Sequence, residues 1–169
     1  MNTPKVISRL FIMASLLSPS SLYRNLCMQK LCVAQFAFDV FHLLLLEKLQ
    51  FSEDESLASI AKKGIKEVRY HVRFSSDWMK RLGDGTEESN LKVQEAIDDL
   101  WRYTDELFHV SESDMEMISE GIGVNVSGLK EEYYTKVSEV INEATLKVPL
   151  GKYFQKGGKD GIHTEHMGY

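Results

Sequence analysis

One segment of the chain, Val33 to Phe51, is apolar on nearly every side when it is written as a helix. Its polar residues Gln35, Asp39 and His42 recur at i, i+4 and i+7, so they share a single narrow face. A helix that offers so little polar surface has to be surrounded by other elements. We therefore expect this helix to lie in the middle of a bundle.

The rest of the chain also predicts helices, because no proline lies between Pro19 and Pro149. Ser52 and Glu55 have the spacing of a capping box, which predicts a helix start directly after the first helix. Thr86 and Ser127 are N-cap candidates for two later helices. The fold class that follows is all-α, with about four to five helices and long antiparallel pairs joined by short turns.

The predicted boundaries follow from periodicity and from breakers. Apolar residues with a helical period form the core stripe of the second helix: Leu57, Ala61, Ile65, Val68, Val72, Met79 and Leu82. The second helix is predicted to end at Gly83–Gly85, and the third to run from Thr86 to about Phe108. A short acidic helix is predicted around Asp114–Glu120. The last helix is predicted from about Gly128 to Leu146, and Pro149 stops it.

Composition excludes some classes of partner. The net charge of −5 comes without a dense basic face, which argues against nucleic acid. No uninterrupted apolar run approaches the ~20 residues of a membrane span, which argues against a membrane protein. Cys27 and Cys32 fit neither a zinc site nor a disulfide framework and are expected to be reduced thiols. These features favour a cytoplasmic protein.

The first residues of the chain leave an alternative open. Lys5 and Arg9 precede the apolar stretch Leu10–Leu17, and small residues follow, as in a secretory signal. The apolar run is short, however, and no small-x-small cleavage site follows it. A secreted helical binding protein is therefore kept as an alternative that only this segment supports.

Glu67 and His71 are the first candidates for a chemical site. They lie one turn apart on a helical stripe with apolar neighbours, which predicts burial: Ile60, Gly64, Glu67, His71, Phe74 and Trp78. Di-iron bundles use Glu-x-x-His pairs at i and i+3, whereas this pair is spaced at i+4. With Asp39 as one further carboxylate, the set falls short of a di-iron ligand set. We expect Glu67 and His71 to form a structural polar pair, with Asp39, Glu67 and His71 as remnants of a degenerate metal site.

Two other constellations are weaker. Asp39 and His42, at i and i+3, are compatible with metal ligation but are expected to face a partner or to satisfy other buried polar groups. His163, Glu165 and His166 follow a glycine-rich arm, and we expect them to form a recognition tail or a first helical turn. No nucleophile elbow, P-loop or dinucleotide fingerprint is present. No catalytic residue and no metal ligand are therefore assigned.

Several blocks of sequence, in one order, resemble the ferritin-like C subunits of bacterial phenylacetyl-CoA epoxidases, which are multicomponent oxygenases of aerobic phenylacetate breakdown. The resemblance extends over about Ala34–Tyr169 and is carried by six blocks: Phe38–His42, Lys66–His71, Arg81–Glu87, Leu100–Phe108, Ile141–Leu146 and Gly157–Tyr169.

The resemblance implies a ferritin-like bundle and a non-catalytic, structural subunit. The di-iron cofactor is then expected in the homologous catalytic subunit and not in this chain. That catalytic subunit and the other subunits of the complex are the expected partners. The alternative is a catalytic ferritin-like metalloprotein that lacks part of its ligand set.

The chain also departs from this family. Members carry further helices before the Val33 region and continue past Tyr169, so we expect a chain truncated at both ends. Residues 1–33 match nothing in the family pattern, and 34–169 form the expected ferritin-like domain, with a glycine-rich arm at 150–169.

Overall fold

The computed structural model describes residues 28–149, which form helices joined by turns and loops, without a strand. Its α-helices are α1 (Met28–Leu49), α2 (Glu55–Gly83), α3 (Glu87–Thr104), α4 (Glu112–Ser119) and α5 (Lys130–Glu143), with 3-10 helices at Asp105–Phe108 and Val126–Leu129. The predicted all-α class is confirmed. The signal-like start, Cys27 and the glycine-rich arm lie outside the described residues.

Helix α1 is the central element, as its apolar circumference predicts. Phe36 and Leu44 are each 1% exposed, and Val40 and Phe41 on neighbouring sides are also buried. The main core joins these residues to α3 and α5, whose fully buried contributors include Val93, Ile97, Tyr133, Val137 and Ile141. A second cluster lies between α1 and α2, where Leu43 and Leu46 pack with Ala61 and Ile65.

Within residues 28–149, α1 alone is long and apolar enough, by length and composition, to cross a membrane. The expectation that no apolar segment reaches the length of a span is wrong by this broader criterion, which tolerates scattered polar residues. The core helix of a soluble protein meets the same criterion, and α1 packs against α2, α3 and α5.

The cap of α2 differs from the predicted one. Asp54, not Ser52, is the N-cap, and its carboxylate accepts a hydrogen bond from the Leu57 amide at 3.0 Å. The Ser52 hydroxyl instead donates to the carbonyl of Ile122 at 2.9 Å. This bond ties the turn after α1 to the loop after α4, so a distant partner decides which of two suitable residues caps the helix.

The later helices follow the prediction in part. Thr86 caps α3 as expected, with its side chain accepting from the Ser89 amide. The short acidic helix α4 begins earlier than predicted, because Ser111 and Asp114 form a reciprocal capping box. Ser127 does not cap the last helix: Asn125 caps the 3-10 helix that precedes α5, and its side chain accepts from the Ser127 amide.

Helix α5 ends at Glu143, well before Pro149. Thr145 has φ 59°, a left-handed conformation that is uncommon for a β-branched residue. The Leu146 amide donates to the Ile141 carbonyl at 3.0 Å, which closes the helix end in the manner of a Schellman motif. Hydrogen bonds from Asn90 to Thr145 and from Thr145 to the Gly83 carbonyl hold this conformation in place.

The segment after α5 packs closely on the end of α2. A Cβ atom at Gly83 would overlap the carbonyl oxygen of Ala144 and would lie 3.0 Å from Leu146 Cδ1. Gln94 of α3 holds the same segment from the side, since it donates to the Lys147 carbonyl and accepts from the Lys147 amide. Glycine at position 83 therefore permits backbone contact between α2 and the chain that follows α5.

Replacing Gly83 with alanine should destabilise the fold by about 1–3 kcal/mol, because the overlapping atom is backbone and cannot turn aside. The free energy of unfolding by urea measures this loss. Gly128→Ala is the matched control, since its Cβ would meet nothing within 4 Å. That variant should differ from the parent by less than about 1 kcal/mol. Equal losses in both variants would contradict the proposed contact.

A polar network joins α5 to the end of α3. The Tyr134 hydroxyl donates to Asp105 Oδ1 at 2.8 Å and lies 2.9 Å from Thr104 Oγ1. Lys130 Nζ is 2.8 Å from the same Asp105 oxygen. Burial, together with the negative charge of Asp105, raises the pKa of Tyr134, so the hydroxyl keeps its proton and remains a donor. The neighbouring Tyr133 hydroxyl is buried without a hydrogen-bond partner among residues 28–149.

These two tyrosines provide a matched test. Tyr134→Phe should cost about 1–2 kcal/mol, because it removes a hydrogen bond to a charged acceptor. Tyr133→Phe should cost less than about 0.5 kcal/mol, because its hydroxyl contributes no such bond. Urea unfolding of both variants measures the difference. A larger loss for Tyr133→Phe would show that its hydroxyl is bonded after all.

Candidate functional site

Asp39 and His42 lie on the side of α1 that carries Leu43 and Leu46, which pack against α2. A Cβ atom at Gly64 would lie 3.2 Å from Leu46 Cδ1, so the glycine admits α1 closely at one end of the seam between the two helices. Arg69 and Glu47 form an ion pair across the same two helices, with Nη2 and Oε1 3.1 Å apart. The seam is therefore built mainly of apolar contacts, with ionic contacts at its border.

Asp39 is buried, with 3% of its surface exposed. Its Oδ1 accepts a hydrogen bond of 2.6 Å from Gln35 Nε2, one turn earlier on α1. Its other carboxylate oxygen has no hydrogen-bond partner among residues 28–149. Gln35, Asp39 and His42 thus share one face of α1, as the sequence predicts, and Asp39 is buried.

His42 is half-buried and lies against Phe38, with ring centroids 5.3 Å apart. Burial lowers the pKa of His42, the negative charge of Asp39 opposes this effect, and an electrostatic contribution from His71 reinforces it. His42 is therefore expected to be a neutral imidazole at pH 7, since its ordinary pKa is already about 6.5.

Glu67 and His71 do not form the buried pair that the sequence predicts. Glu67 Oε1 and His71 Nε2 are 3.8 Å apart, but the two side chains are 79% and 47% exposed. The stripe they share lies on the solvent side of α2 in the described chain, beside the buried stripe of Ala61, Ile65 and Val68. The burial expected for this pair is wrong here, because apolar neighbours on a stripe do not ensure that another helix covers them.

Among the residues that the structure describes, no three His, Cys, Asp or Glu side chains converge into a group that could hold a metal ion. Asp39, Glu67 and His71 are thus not gathered into a ligand set in residues 28–149. His163, Glu165 and His166 lie outside the described residues. Cys32 is half-buried on α1.

An exposed aromatic row on α2 was not predicted from the sequence. Tyr70 and Phe74 are stacked, and Phe74 and Trp78 meet edge to face, with centroids 6.3 Å apart in both pairs. Tyr70 is 65% exposed, Phe74 52% and Trp78 39%. The helical period correctly places Phe74 and Trp78 on one stripe. Because both side chains are apolar, however, the sequence predicted that this stripe would be buried.

The lowered pKa of His42 predicts a pH dependence of stability. At pH values between the pKa of His42 in the folded chain and its pKa in the unfolded chain, the unfolded chain binds more protons. The free energy of unfolding therefore falls as the pH drops below about 6.5. One such group gives a slope of at most about 1.4 kcal/mol per pH unit. Urea unfolding at about pH 7.5 and about pH 5.5 should show a smaller difference in His42→Gln than in the parent. An unchanged pH dependence in this variant would contradict the assignment.

Comparison with known proteins identifies the family. A family model described as phenylacetic acid catabolic protein matches residues 23–169. The C subunit of 1,2-phenylacetyl-CoA epoxidase from Escherichia coli strain K12 is 47% identical over 134 residues, which cover 79% of this chain and 54% of the relative. The chain thus spans about half the length of this curated relative. The resemblance seen in the sequence and the predicted ferritin-like helical fold are confirmed, and the chain belongs to the phenylacetic acid catabolic protein family.

Proposed function

We propose that this chain acts as a non-catalytic, structural subunit of a multicomponent di-iron oxygenase that epoxidises the ring of phenylacetyl-CoA in aerobic phenylacetate catabolism. The observation that carries the proposal is the 47% identity, over 134 residues, to the C subunit of a phenylacetyl-CoA epoxidase. Its partners would be the homologous catalytic subunit and the other subunits of that complex.

The arrangement of the candidate residues supports a structural role. A di-iron bundle site needs about four carboxylates and two histidines directed inward from facing helices. In residues 28–149 Asp39 is turned inward, whereas Glu67 and His71 are open to solvent. The di-iron cofactor is accordingly proposed for the catalytic partner, with none resident in this chain.

The cytoplasm is the proposed location, because phenylacetyl-CoA is an intracellular thioester and the cysteine content suits a reducing compartment. Helix α1 is packed against its neighbours as in a soluble bundle, which supports the same location. The secreted alternative gains no support from residues 28–149, since the signal-like segment lies outside them.

The proposal predicts assembly without iron of its own. This chain, co-expressed with the catalytic subunit of the E. coli complex and purified through a tag on that subunit, should be recovered with it. Metal analysis of this chain alone, after iron loading, should give far less than two irons per chain. Two tightly bound irons per chain would instead support the catalytic metalloprotein that was the alternative.

Glu67→Gln and His71→Leu separate a structural from a catalytic role. Both side chains are exposed, so each variant should change the free energy of unfolding by less than about 0.5 kcal/mol. In the reconstituted complex both variants should keep the turnover of phenylacetyl-CoA. Lost turnover with unchanged melting temperature and assembly would place the pair in the catalytic machinery and refute the structural assignment.

A further inference from the structure

Aromatic rings form a continuous row that leads from the last turn of α3 into the core. The ring of Trp101 on α3 meets that of Tyr134 on α5, with centroids 5.5 Å apart. Tyr134 meets Tyr133 at 5.3 Å, and Tyr133 meets Phe108 at 5.1 Å. Rings at these distances are in direct contact. Because Trp101 is half-buried and Tyr133 is fully buried, the row connects the border of the fold to its interior.

The Tyr134 hydroxyl is paired with a base. Tyrosine and tryptophan lose a single electron more readily than phenylalanine, but an oxidised tyrosine is a very strong acid and needs a group that accepts its proton. Tyr134 donates to Asp105 Oδ1 at 2.8 Å, which is within reach of direct proton transfer. Thr104 Oγ1, 2.9 Å from the same hydroxyl, is a far weaker base than a carboxylate. The side chain of Asp105 is 18% exposed, so a proton that it accepts can pass on to water.

Tyr133 lacks this arrangement although it lies in the same row. Its hydroxyl is buried and has no hydrogen-bond partner among residues 28–149. Burial also raises the pKa of this hydroxyl. An oxidised Tyr133 would keep its proton, and with it a positive charge, inside an apolar core, which is costly. An oxidising equivalent that starts on Trp101 therefore ends on Tyr134.

We propose that Trp101, Tyr134 and Asp105 form a one-electron relay, in which Tyr134 reduces an oxidised Trp101 and passes its proton to Asp105. A one-electron oxidant, such as an oxygen-derived radical, takes an electron from Trp101, and the indole proton leaves to water. Tyr134 then gives one electron to Trp101, whose indole regains a proton from water, while the phenol proton moves to the carboxylate. The net change is the loss of one electron and one proton from Tyr134, and the indole is spared. This inference goes beyond the proposed function and does not depend on it.

Pulse radiolysis of the full chain with the azidyl radical tests the electron step. This oxidant attacks tryptophan in preference to tyrosine, and the two resulting radicals have separate absorption bands. The tryptophanyl band should decay as the tyrosyl band grows, at a rate independent of protein concentration. Tyr134→Phe should lose this phase, whereas Tyr133→Phe, which removes a hydroxyl from the same row, should keep it. An unchanged phase in Tyr134→Phe, or a rate that rises with protein concentration, would overturn the proposal.

The second tryptophan of the chain provides a matched control. The chain contains Trp78 and Trp101, and the ring of Trp78 meets Phe74, which does not reduce an indole radical. Trp101→Phe should therefore abolish the transfer to tyrosine, and Trp78→Phe should leave its rate unchanged. Loss of the transfer in Trp78→Phe with retention in Trp101→Phe would place the relay elsewhere and overturn the assignment.

Asp105→Asn tests the proton step. The amide keeps the size of the side chain but is a very weak base, so the transfer should slow by about tenfold or more. A parental rate in this variant, with its melting transition intact, would contradict the role of Asp105. The parent chain gives a readout that depends on no variant, because the transfer should be slower in D2O than in water if the proton moves with the electron. Equal rates in the two solvents would overturn the coupled step.

Discussion

The burial of α1 is the constraint on which the rest of the structure depends. Full burial of one large aliphatic or aromatic side chain contributes about 1.5–3 kcal/mol, and the buried residues Phe36, Phe41 and Leu46 lie on different sides of this helix. No single neighbour can cover such a circumference. Helix α2 therefore covers one side, α3 and α5 cover others, and the ring of Phe108 meets Phe41 edge to face at 5.7 Å.

The hydrophobic periodicity predicted the long helices, because the burial of one helix face constrains many residues at once. The ends of helices depend on single residues, and there the sequence offered equivalent choices. Ser52 and Asp54 are both good caps, and the Ile122 carbonyl, remote in sequence, engages Ser52 and leaves Asp54 to cap α2. The end of α5 likewise depends on Thr145, whose left-handed backbone is held by Asn90 and by the Gly83 carbonyl. Such tertiary contacts leave no local signal.

The candidate site was predicted less well, for a different reason. Asp39 and His42 were placed correctly on one face of α1, since spacing alone determines which residues share a face. The exposure of Glu67 and His71 depends on whether another element covers their stripe. An apolar stripe predicts a packing surface, but it does not specify which chain or segment supplies the cover. Ile60, Phe74 and Trp78 lie on the stripe that was expected to be buried, and they are exposed in residues 28–149.

The α1–α2 pair is held together mainly by apolar contacts. Leu43 and Leu46 against Ala61 and Ile65 hold the two helices together, and the close approach at Gly64 needs no polar side chain. Glu67 and His71 contribute little to this seam, because exposed ion pairs are worth about 0–1 kcal/mol.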